Sequence, residues 1–268
     1  MPADDRPPLS CYIRTLNEEV RIGATVRAAL HVAREVVVVD SGSTDGTVAV
    51  AEAEGARIIE QAWLGGGHQK RVGEDACRYD WLLNLDADEI ISEKLAQQIR
   101  DVFAVSEPDA DVYILPVVIV DPAGRIWRRA RANPRARLYD RRKVRMPAHA
   151  VWDQFPIPPG LRTRRLGGFL LHHAFDDLAH LSRKQGSAMV RRVRFLENER
   201  PLSTALRVYF GLPYFFFRSY VIRGRWMEGG YGFLLSMVTA YNHWFKFAML
   251  HEKRLKGQDS KESSDRPG

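Results

Sequence analysis

The segment EVVVVD at residues 35–40 constrains the fold more than any other part of the sequence. Consecutive β-branched residues favour a strand, and a strand that is apolar at nearly every position is buried on both faces. Such strands belong to parallel sheets that carry helices on both sides. The turn-forming sequence SGSTDGT follows at 41–47 and supplies side chains that can cap the next helix.

The first hundred residues repeat this alternation of short apolar runs and amphipathic stretches. We predict further strands at 9–13, 56–60 and 81–86, and a helix at 17–33. Strands and loops follow from about residue 105, and helices return near Asp177. The predicted fold class is therefore α/β, with a mostly parallel sheet, flanking helices and a C-terminal helical region.

Composition sets the outer limits of the prediction. The chain has 268 residues, 45% of them hydrophobic and 27% charged, which is ordinary for a globular protein. Its two cysteines, Cys11 and Cys77, lack the spacing of a disulfide framework or a zinc site. No signal peptide is visible, and the longest uncharged stretch, Gly229 to Phe245, is shorter than the roughly 20 residues of a membrane-spanning helix. We expect a cytoplasmic protein.

The segment LNLDADE places Asp86, Asp88 and Glu89 directly after an apolar strand. In open α/β sheets, ligands bind at this edge. Clustered carboxylates repel one another, and hard cations such as Mg²⁺ or Mn²⁺ relieve that repulsion while they bridge substrate phosphates. The alternative is a solvated turn that caps the helix beginning near Ser92.

Further polar groups follow the other predicted strands at the same edge. Asp40 ends the EVVVVD strand and could accept hydrogen bonds from a ribose or a base. Thr15, Asn17 and Glu19 follow the first strand. Each residue alone could be a helix cap, but their convergence on one edge favours a nucleotide site. The sequence lacks GxGxxG after the first strand, a P-loop and a GxSxG elbow, which disfavours dinucleotide, P-loop ATPase and serine hydrolase chemistry.

Four segments together resemble the family 2 glycosyltransferases of the GT-A fold. They are TLNEE (15–19), VVVDSGSTDGT (37–47), Trp63 with the following GGGHQK, and DWLLNLDADE (80–89). Within the family, the chain is similar to bacterial lipopolysaccharide core β-glucosyltransferases. The resemblance implies a Rossmann-like sheet, a nucleotide-sugar donor and an Mg²⁺ or Mn²⁺ cofactor. It implies donor-binding roles for Thr15, Asn17, Glu19, Asp40, Gln69, Lys70, Asp86 and Asp88, with Asp86 and Asp88 near the metal.

Inverting transfer also requires a general base for the acceptor hydroxyl. The family places an acidic residue, commonly after His, some 60 to 70 positions beyond the DxD segment. Alignment of VWD with that pattern makes Asp153 the base and puts Trp152 in place of the histidine. His149 is the alternative base. The residues expected near the acceptor are Arg137, His149, Trp152 and His172.

Positive charge is concentrated in one segment. Residues 125–145 contain ten Lys and Arg side chains and one acidic residue, in a chain of net charge +7. Arginine favours phosphate and carboxylate, so the segment could bind a phosphorylated acceptor or the leaving diphosphate. No nucleic-acid-binding module accompanies it, and we expect no nucleic-acid partner.

Residues 201–250 contain 14 of the 27 aromatic side chains, interleaved with Arg and Lys. This composition suits either the surface of an anionic membrane or an interface between copies of the chain. The QxxRW motif of processive family 2 synthases is absent, because Ile222 stands three residues before Arg225. The resemblance therefore implies the addition of a single sugar.

These observations predict a catalytic domain at 1–176, with a donor half at about 9–104 and an acceptor half at about 105–176. A helical region at 177–255 that contacts a membrane or forms oligomers follows, with a disordered tail at 256–268. The expected activity is inverting transfer from a nucleotide sugar, a UDP-hexose, to a lipid-linked or lipopolysaccharide-type acceptor at the inner face of a membrane. The alternatives are a non-catalytic module that binds anionic lipids and a sugar nucleotidyltransferase.

Overall fold

The computed structural model describes residues 6–105, 107–129, 132–150, 152–193 and 200–264, without the side chains of residues 188, 191, 192 and 257–264. The chain divides into two compact units. The first comprises Met1–Ile119 and Ala132–His173, and the second comprises Val120–Arg131 and Ala174–Gly268.

The described part of the first unit contains one nine-stranded sheet. The strands are β1 (Leu9–Thr15), β2 (Glu35–Asp40), β3 (Arg57–Glu60), β4 (Trp81–Asp86), β5 (Glu89–Ile91), β6 (Val112–Ile119), β7 (Asn133–Asp140), β8 (Thr163–Arg165) and β9 (Leu170–His172). Their order in the sheet is β3-β2-β1-β4-β7-β6-β9-β5, and β8 pairs with β6. The strands β1 to β4 are parallel to one another, whereas β7 is antiparallel to both of its neighbours, β4 and β6.

Both faces of the central strands are covered. Every residue of β2 is buried, and its side chains alternate between two apolar clusters. Val36 and Val38 pack in one cluster with residues of the helices Glu19–Leu30 and Glu93–Phe103, and Val37 packs in the other with Tyr12 and Tyr139. The predicted α/β class with a mostly parallel sheet is confirmed.

The described residues of the first unit form four helices, and the helix Glu93–Phe103 has a side-chain cap. The Ser92 hydroxyl accepts a hydrogen bond from the backbone N–H of Leu95 and so satisfies one of the first-turn donors. The helices are α1 (Glu19–Leu30), α2 (Thr47–Ala53), α3 (Gly66–Ala76) and α4 (Glu93–Phe103).

The second unit contains the predicted C-terminal helices, α5 (Leu178–Val193), α6 (Pro201–Phe217) and α7 (Gly229–Ser264). A π-helical turn at Arg218–Ile222 and a 3₁₀ turn at Arg225–Glu228 connect α6 to α7. One face of α6 packs on α7, where the rings of Phe215 and Phe247 stack and Trp244 donates a hydrogen bond to the carbonyl of Val208. Within the described residues, the helices are too short or too polar to cross a membrane.

Two features differ from the sequence-based expectations. The helix α7 continues to Ser264 and includes most of the 256–268 segment that is expected to be disordered; Lys and Glu there are good helix formers, and proline does not appear before residue 267. The strand β7 lies inside the Arg-dense segment, where charge hides the strand pattern. Its last four residues are nonetheless buried between β4 and β6.

Candidate active site

Strand register places the predicted site residues at one edge of the sheet. Thr15 pairs with Asp40 across β1 and β2, and Arg14 pairs with Asp86 across β1 and β4. The three strands are parallel, so their carboxyl ends are level there. Asp40, Thr15 and Asp86 consequently line the edge at which open α/β sheets bind ligands.

The Asp86 carboxylate is surrounded by cations. It accepts hydrogen bonds from Arg14 Nε at 2.8 Å and Arg137 Nη2 at 3.0 Å, and Lys70 Nζ lies 3.5 Å away. Burial raises the pKa of Asp86, but the charges of Arg14, Lys70 and Arg137 outweigh it and hold the pKa well below its usual value. Asp86 is therefore a permanent anion that orients three cations.

Lys70 on α3 is almost completely buried. Burial is the largest influence on its pKa and lowers it. The charge of Asp86 raises the pKa, the charges of Arg137 and Arg14 lower it, and the net pKa is about 8. The ammonium group thus remains mostly protonated at neutral pH. A buried cation of this kind is suited to an anion that enters the site.

Asp153, the predicted base, lies in the same group. Its Oδ2 atom is 3.0 Å from Arg14 Nη2 and 3.7 Å from Lys70 Nζ, and its side chain is 31% exposed. Burial raises the pKa of Asp153, but the charges of Lys70 and Arg14 together lower it by more than burial raises it. The net pKa of Asp153 is therefore below its usual value. Arg14 thereby joins two carboxylates, Asp86 and Asp153, that are distant in the sequence.

Arg137, expected to contact the acceptor, is buried beneath this group. Its guanidinium donates to Asn84 Oδ1 at 2.6 Å, to Asp86 Oδ2 at 3.0 Å and to Glu89 Oε1 at 2.5 Å. Burial lowers the pKa of Arg137, but Glu89 and Asp86 raise it above its usual value. These contacts give Arg137 a role in positioning Asp86 and Glu89.

Asp88 lies next to His172, the last residue of β9. His172 Nε2 is 3.3 Å from Asp88 Oδ2, and the backbone N–H of His173 donates to the Asp88 carbonyl. In the described ranges, no group of three or more His, Cys, Asp or Glu side chains is placed to hold a metal. Mg²⁺ and Mn²⁺ sites in phosphate-binding proteins commonly use one or two protein ligands with water and phosphate oxygens, so Asp88 and His172 fit such a cation. The cations around Asp86 make it a poorer ligand than the sequence implies.

The residues expected to hold the nucleoside form a network between two loops. Asp40 Oδ2 accepts from the N–H groups of Gly42 and Ser43, at 2.9 and 2.8 Å. Asn17 Oδ1 accepts from the N–H of Thr44 at 2.9 Å, and Glu19 Oε2 accepts from that of Gly46 at 3.1 Å. These residues therefore shape the loops after β1 and β2.

Two buried polar atoms at this edge lack a partner in the part of the chain that is described, Thr15 Oγ1 and Gln69 Oε1. The other end of the Gln69 amide donates to Ser41 Oγ and to the Gln61 carbonyl, both at 2.8 Å. Gln69 thus ties α3 to the loop after β2. Unpaired buried acceptors and hydroxyls are costly, and a bound ligand could satisfy them.

The described residues of the 146–153 loop pack against the first turn of α3 and accept hydrogen bonds from it. The N–H groups of Gly66 and Gly67 donate to the carbonyls of Ala150 and His149, at 3.1 and 3.0 Å. A Cβ atom on Gly67 would lie 2.2 Å from the Trp152 carbonyl oxygen, so the approach requires glycine.

The two other predicted residues of this loop differ in placement. His149 Nδ1 accepts a hydrogen bond from the Trp152 N–H at 3.0 Å, which stabilises the turn that precedes Asp153. The Trp152 side chain is exposed. Asp153, which follows this turn, is joined to the charged group by Arg14 and Lys70.

Sequence reasoning missed Arg14 and the neighbourhood of Asp88 and His172. The signal that could have revealed Arg14 is its position as the one charged residue of the strand LSCYIRT.

The Arg-dense segment, residues 125–145, does not form a continuous anion-binding face. Among its described residues, five arginines form ion pairs with carboxylates of their own units: Arg125, Arg137, Arg141, Arg142 and Arg145.

A mostly parallel sheet with clustered carboxylates and cations at its strand ends is the arrangement that the resemblance to the GT-A glycosyltransferases implies. The chain belongs to glycosyl transferase family 2, whose family model matches residues 10–183. The family and the GT-A fold class implied by the sequence are confirmed.

Relatives match over nearly the whole chain. An uncharacterized glycosyltransferase of Rickettsia felis is 30% identical, with 94% of this chain and 92% of the relative covered. The lipopolysaccharide core biosynthesis glycosyltransferase LpsC of Rhizobium meliloti is 27% identical, with 92% and 93% covered. Among solved structures, glucosyl-3-phosphoglycerate synthase from Mycobacterium tuberculosis, in complex with Mg²⁺ and UDP, has a TM-score of 0.39 at 17% identity, with 69% and 79% covered.

Proposed function

We propose that the protein transfers a single sugar, with inversion, from a UDP-hexose to a lipid-linked or lipopolysaccharide-type acceptor. The observation that carries this proposal is the joining of Asp86 and Asp153 by Arg14, with Lys70 beside both. It places a half-buried carboxylate next to cations suited to a diphosphate. The similarity to LpsC supports an acceptor of the lipopolysaccharide type.

The donor would bind along the ends of β1, β2 and β4. In the proposal, Thr15, Asn17, Glu19 and Asp40 hold the nucleoside, with Gln69 at the base of the same cleft. Lys70 and Arg14 lie where they can attract the diphosphate. Asp88 and His172 would hold Mg²⁺ or Mn²⁺, which neutralises negative charge on the diphosphate.

Asp153 acts as the general base. The acceptor hydroxyl oxygen forms a bond to the anomeric carbon while the bond from that carbon to the diphosphate oxygen breaks. The hydroxyl proton passes to the Asp153 carboxylate, and the nucleoside diphosphate leaves with the bonding electrons. Lys70 and Arg14 are positioned in advance for the negative charge that develops on the leaving group.

The acceptor would approach from the side of Trp152, His149 and His172. The proposal assigns donor and acceptor binding to residues 1–176 and membrane or oligomer contacts to 177–255. It locates the protein in the cytoplasm, peripheral to the inner face of a membrane.

Donor binding and sugar transfer test the proposal separately. The purified full chain is titrated with UDP and UDP-hexoses, with Mg²⁺ or Mn²⁺, and transfer to a membrane glycolipid extract is measured with labelled donor. Asp153→Asn should retain UDP affinity and slow transfer by about 100-fold or more, because the base is lost. Asp101→Asn, which alters an exposed carboxylate of α4, is the matched control.

Two outcomes would contradict the proposal. Unchanged turnover in Asp153→Asn would exclude Asp153 as the base. Absence of affinity for every UDP-hexose would exclude the proposed donor class.

A further inference from the structure

An apolar stripe is exposed along the whole length of α6 and into the turn that follows. Its residues recur at helical spacing, and each is at least 43% exposed: Leu202, Leu206, Tyr209, Phe210, Phe217 and Val221. A helix of 17 residues is about 25 Å long, so the stripe is a continuous surface. An apolar face of this extent marks an interaction site.

The connection between α6 and α7, residues 218–228, adds cations to one end of the stripe. Arg218 and Arg223 are exposed beside Ile222 and Trp226, which are 58% and 55% exposed. Among the described residues, no carboxylate forms an ion pair with Arg218, Arg223 or Arg225. Glu228, the one acid of the connection, accepts a hydrogen bond from the backbone of Arg129.

Arg225 is a buried cation with neutral partners. It is 8% exposed, and its Nη1 atom donates to the hydroxyls of Ser219 and Thr239, at 2.7 and 3.4 Å. Burial and, to a smaller extent, the neighbouring charge of Arg223 lower its pKa to about 10. A buried charge without a counterion is costly, so an anion near this connection would stabilise it.

The positive charge of the α6–α7 connection favours a membrane over a second copy of the chain as the partner of this surface. A twofold interface is self-complementary, and residues 201–227 contain no Asp or Glu, so a second copy paired through this surface would offer the arginines no carboxylate from that segment. An anionic bilayer instead offers phosphates to the guanidinium groups and an apolar layer to the aromatic and aliphatic side chains.

We propose that the α6 stripe and the α6–α7 connection dock the enzyme on anionic phospholipid membranes. The helix lies in the interface, Ile222 and Trp226 enter it, and Arg218 and Arg223 contact lipid phosphates. A lipid-linked acceptor, as in the proposed function, would explain why the enzyme docks on a membrane. Vesicle binding without donor or acceptor tests the docking independently of that function.

The test is co-sedimentation of the full chain with phosphatidylcholine vesicles, with and without phosphatidylglycerol, in the absence of donor and acceptor. The wild type should prefer the anionic vesicles and dissociate as salt rises. The Arg218→Gln/Arg223→Gln variant should bind them about 30-fold more weakly, because each cation near such a surface contributes about 1 kcal/mol, a factor of about five in affinity. Lys94→Gln/Lys143→Gln removes two exposed cations of the first unit and is the control.

An apolar pair of variants tests the stripe. Ile222→Asp should weaken vesicle binding at least about tenfold, whereas Val105→Asp, at a site that is also 58% exposed, should not. Equal binding to neutral and anionic vesicles, or binding indifferent to both sets of variants, would overturn the proposal. So would a dimer in analytical ultracentrifugation that Ile222→Asp dissociates. Loss of sugar transfer with intact vesicle binding would instead count against the proposed function.

Discussion

Arg14 and Asp153 form an ion pair, with 3.0 Å between Arg14 Nη2 and Asp153 Oδ2, although 138 positions separate them in the sequence. The same guanidinium holds Asp86 through Nε. One side chain at the end of β1 therefore fixes the distance between Asp86 and the proposed base, Asp153.

This pair predicts a change in the pH dependence of transfer. Arg14 and Lys70 help to hold the pKa of Asp153 below its usual value of 3.8, so the base stays ionised in weak acid. Arg14→Gln removes one of these charges and should raise the pKa, which moves the acid limb of kcat/KM to higher pH. Arg162→Gln, which breaks an exposed ion pair with Asp111, should leave the limb in place. A limb unmoved by Arg14→Gln would contradict the assignment.

The Asp88 and His172 pair predicts metal dependence. Chelation should abolish transfer, and Mn²⁺ binding in the presence of UDP, followed by electron paramagnetic resonance, should weaken at least about tenfold in both Asp88→Asn and His172→Gln. His31→Gln, at the end of α1, is the control. Wild-type Mn²⁺ affinity in Asp88→Asn would assign the metal to other residues.

The close approach at Gly67 predicts a defect in catalysis. A Cβ atom there would displace the carbonyls of Pro147 and Trp152, 2.5 and 2.2 Å away, and with them the segment that carries Asp153. Gly67→Ala should lower kcat about 100-fold, because a displacement near 1 Å of a catalytic group has that effect. Gly230→Ala, where no atom lies within 4 Å of the new methyl group, should leave kcat unchanged and is the control. A normal kcat in Gly67→Ala would show that the loop position does not matter.

Glu35 predicts a pH-dependent contribution to stability. Burial raises its pKa, but hydrogen bonds from Arg57, the Arg78 backbone and Ser10 lower it, so the net pKa is below 4.5. The ionised form is thus stabilised by folding. Glu35→Gln should lower the free energy of unfolding by about 2 kcal/mol at neutral pH.

The difference in the free energy of unfolding between the wild type and Glu35→Gln should be complete above pH 4.5. It should shrink as pH falls through the lowered pKa of Glu35, because the Glu35 carboxylate of the wild type then becomes protonated. Urea unfolding of both proteins at several pH values measures it. Glu93→Gln, at a side chain 90% exposed, should have little effect. A difference that is constant with pH would show that the charge contributes nothing.

The strands that could be predicted are those whose apolar pattern is local. The strands β1, β2 and β4 stand out because both faces are buried, and their shared edge follows from parallel pairing. The strand β7 does not stand out, because its arginines resemble a solvated segment until the partners of Arg137 are known. Arg14 with Asp153 and Asp88 with His172 are contacts between distant segments, which no local pattern encodes.

The hydrogen bonds from the first turn of α3 to the carbonyls of His149 and Ala150 connect the proposed donor site to the proposed base. Lys70 and Gln69 belong to that helix, and Asp153 follows the seated carbonyls. A donor that orders α3 therefore also orders the base, and by linkage an acceptor engaged by the base favours the donor to the same extent. The two substrates are then expected to bind with positive cooperativity.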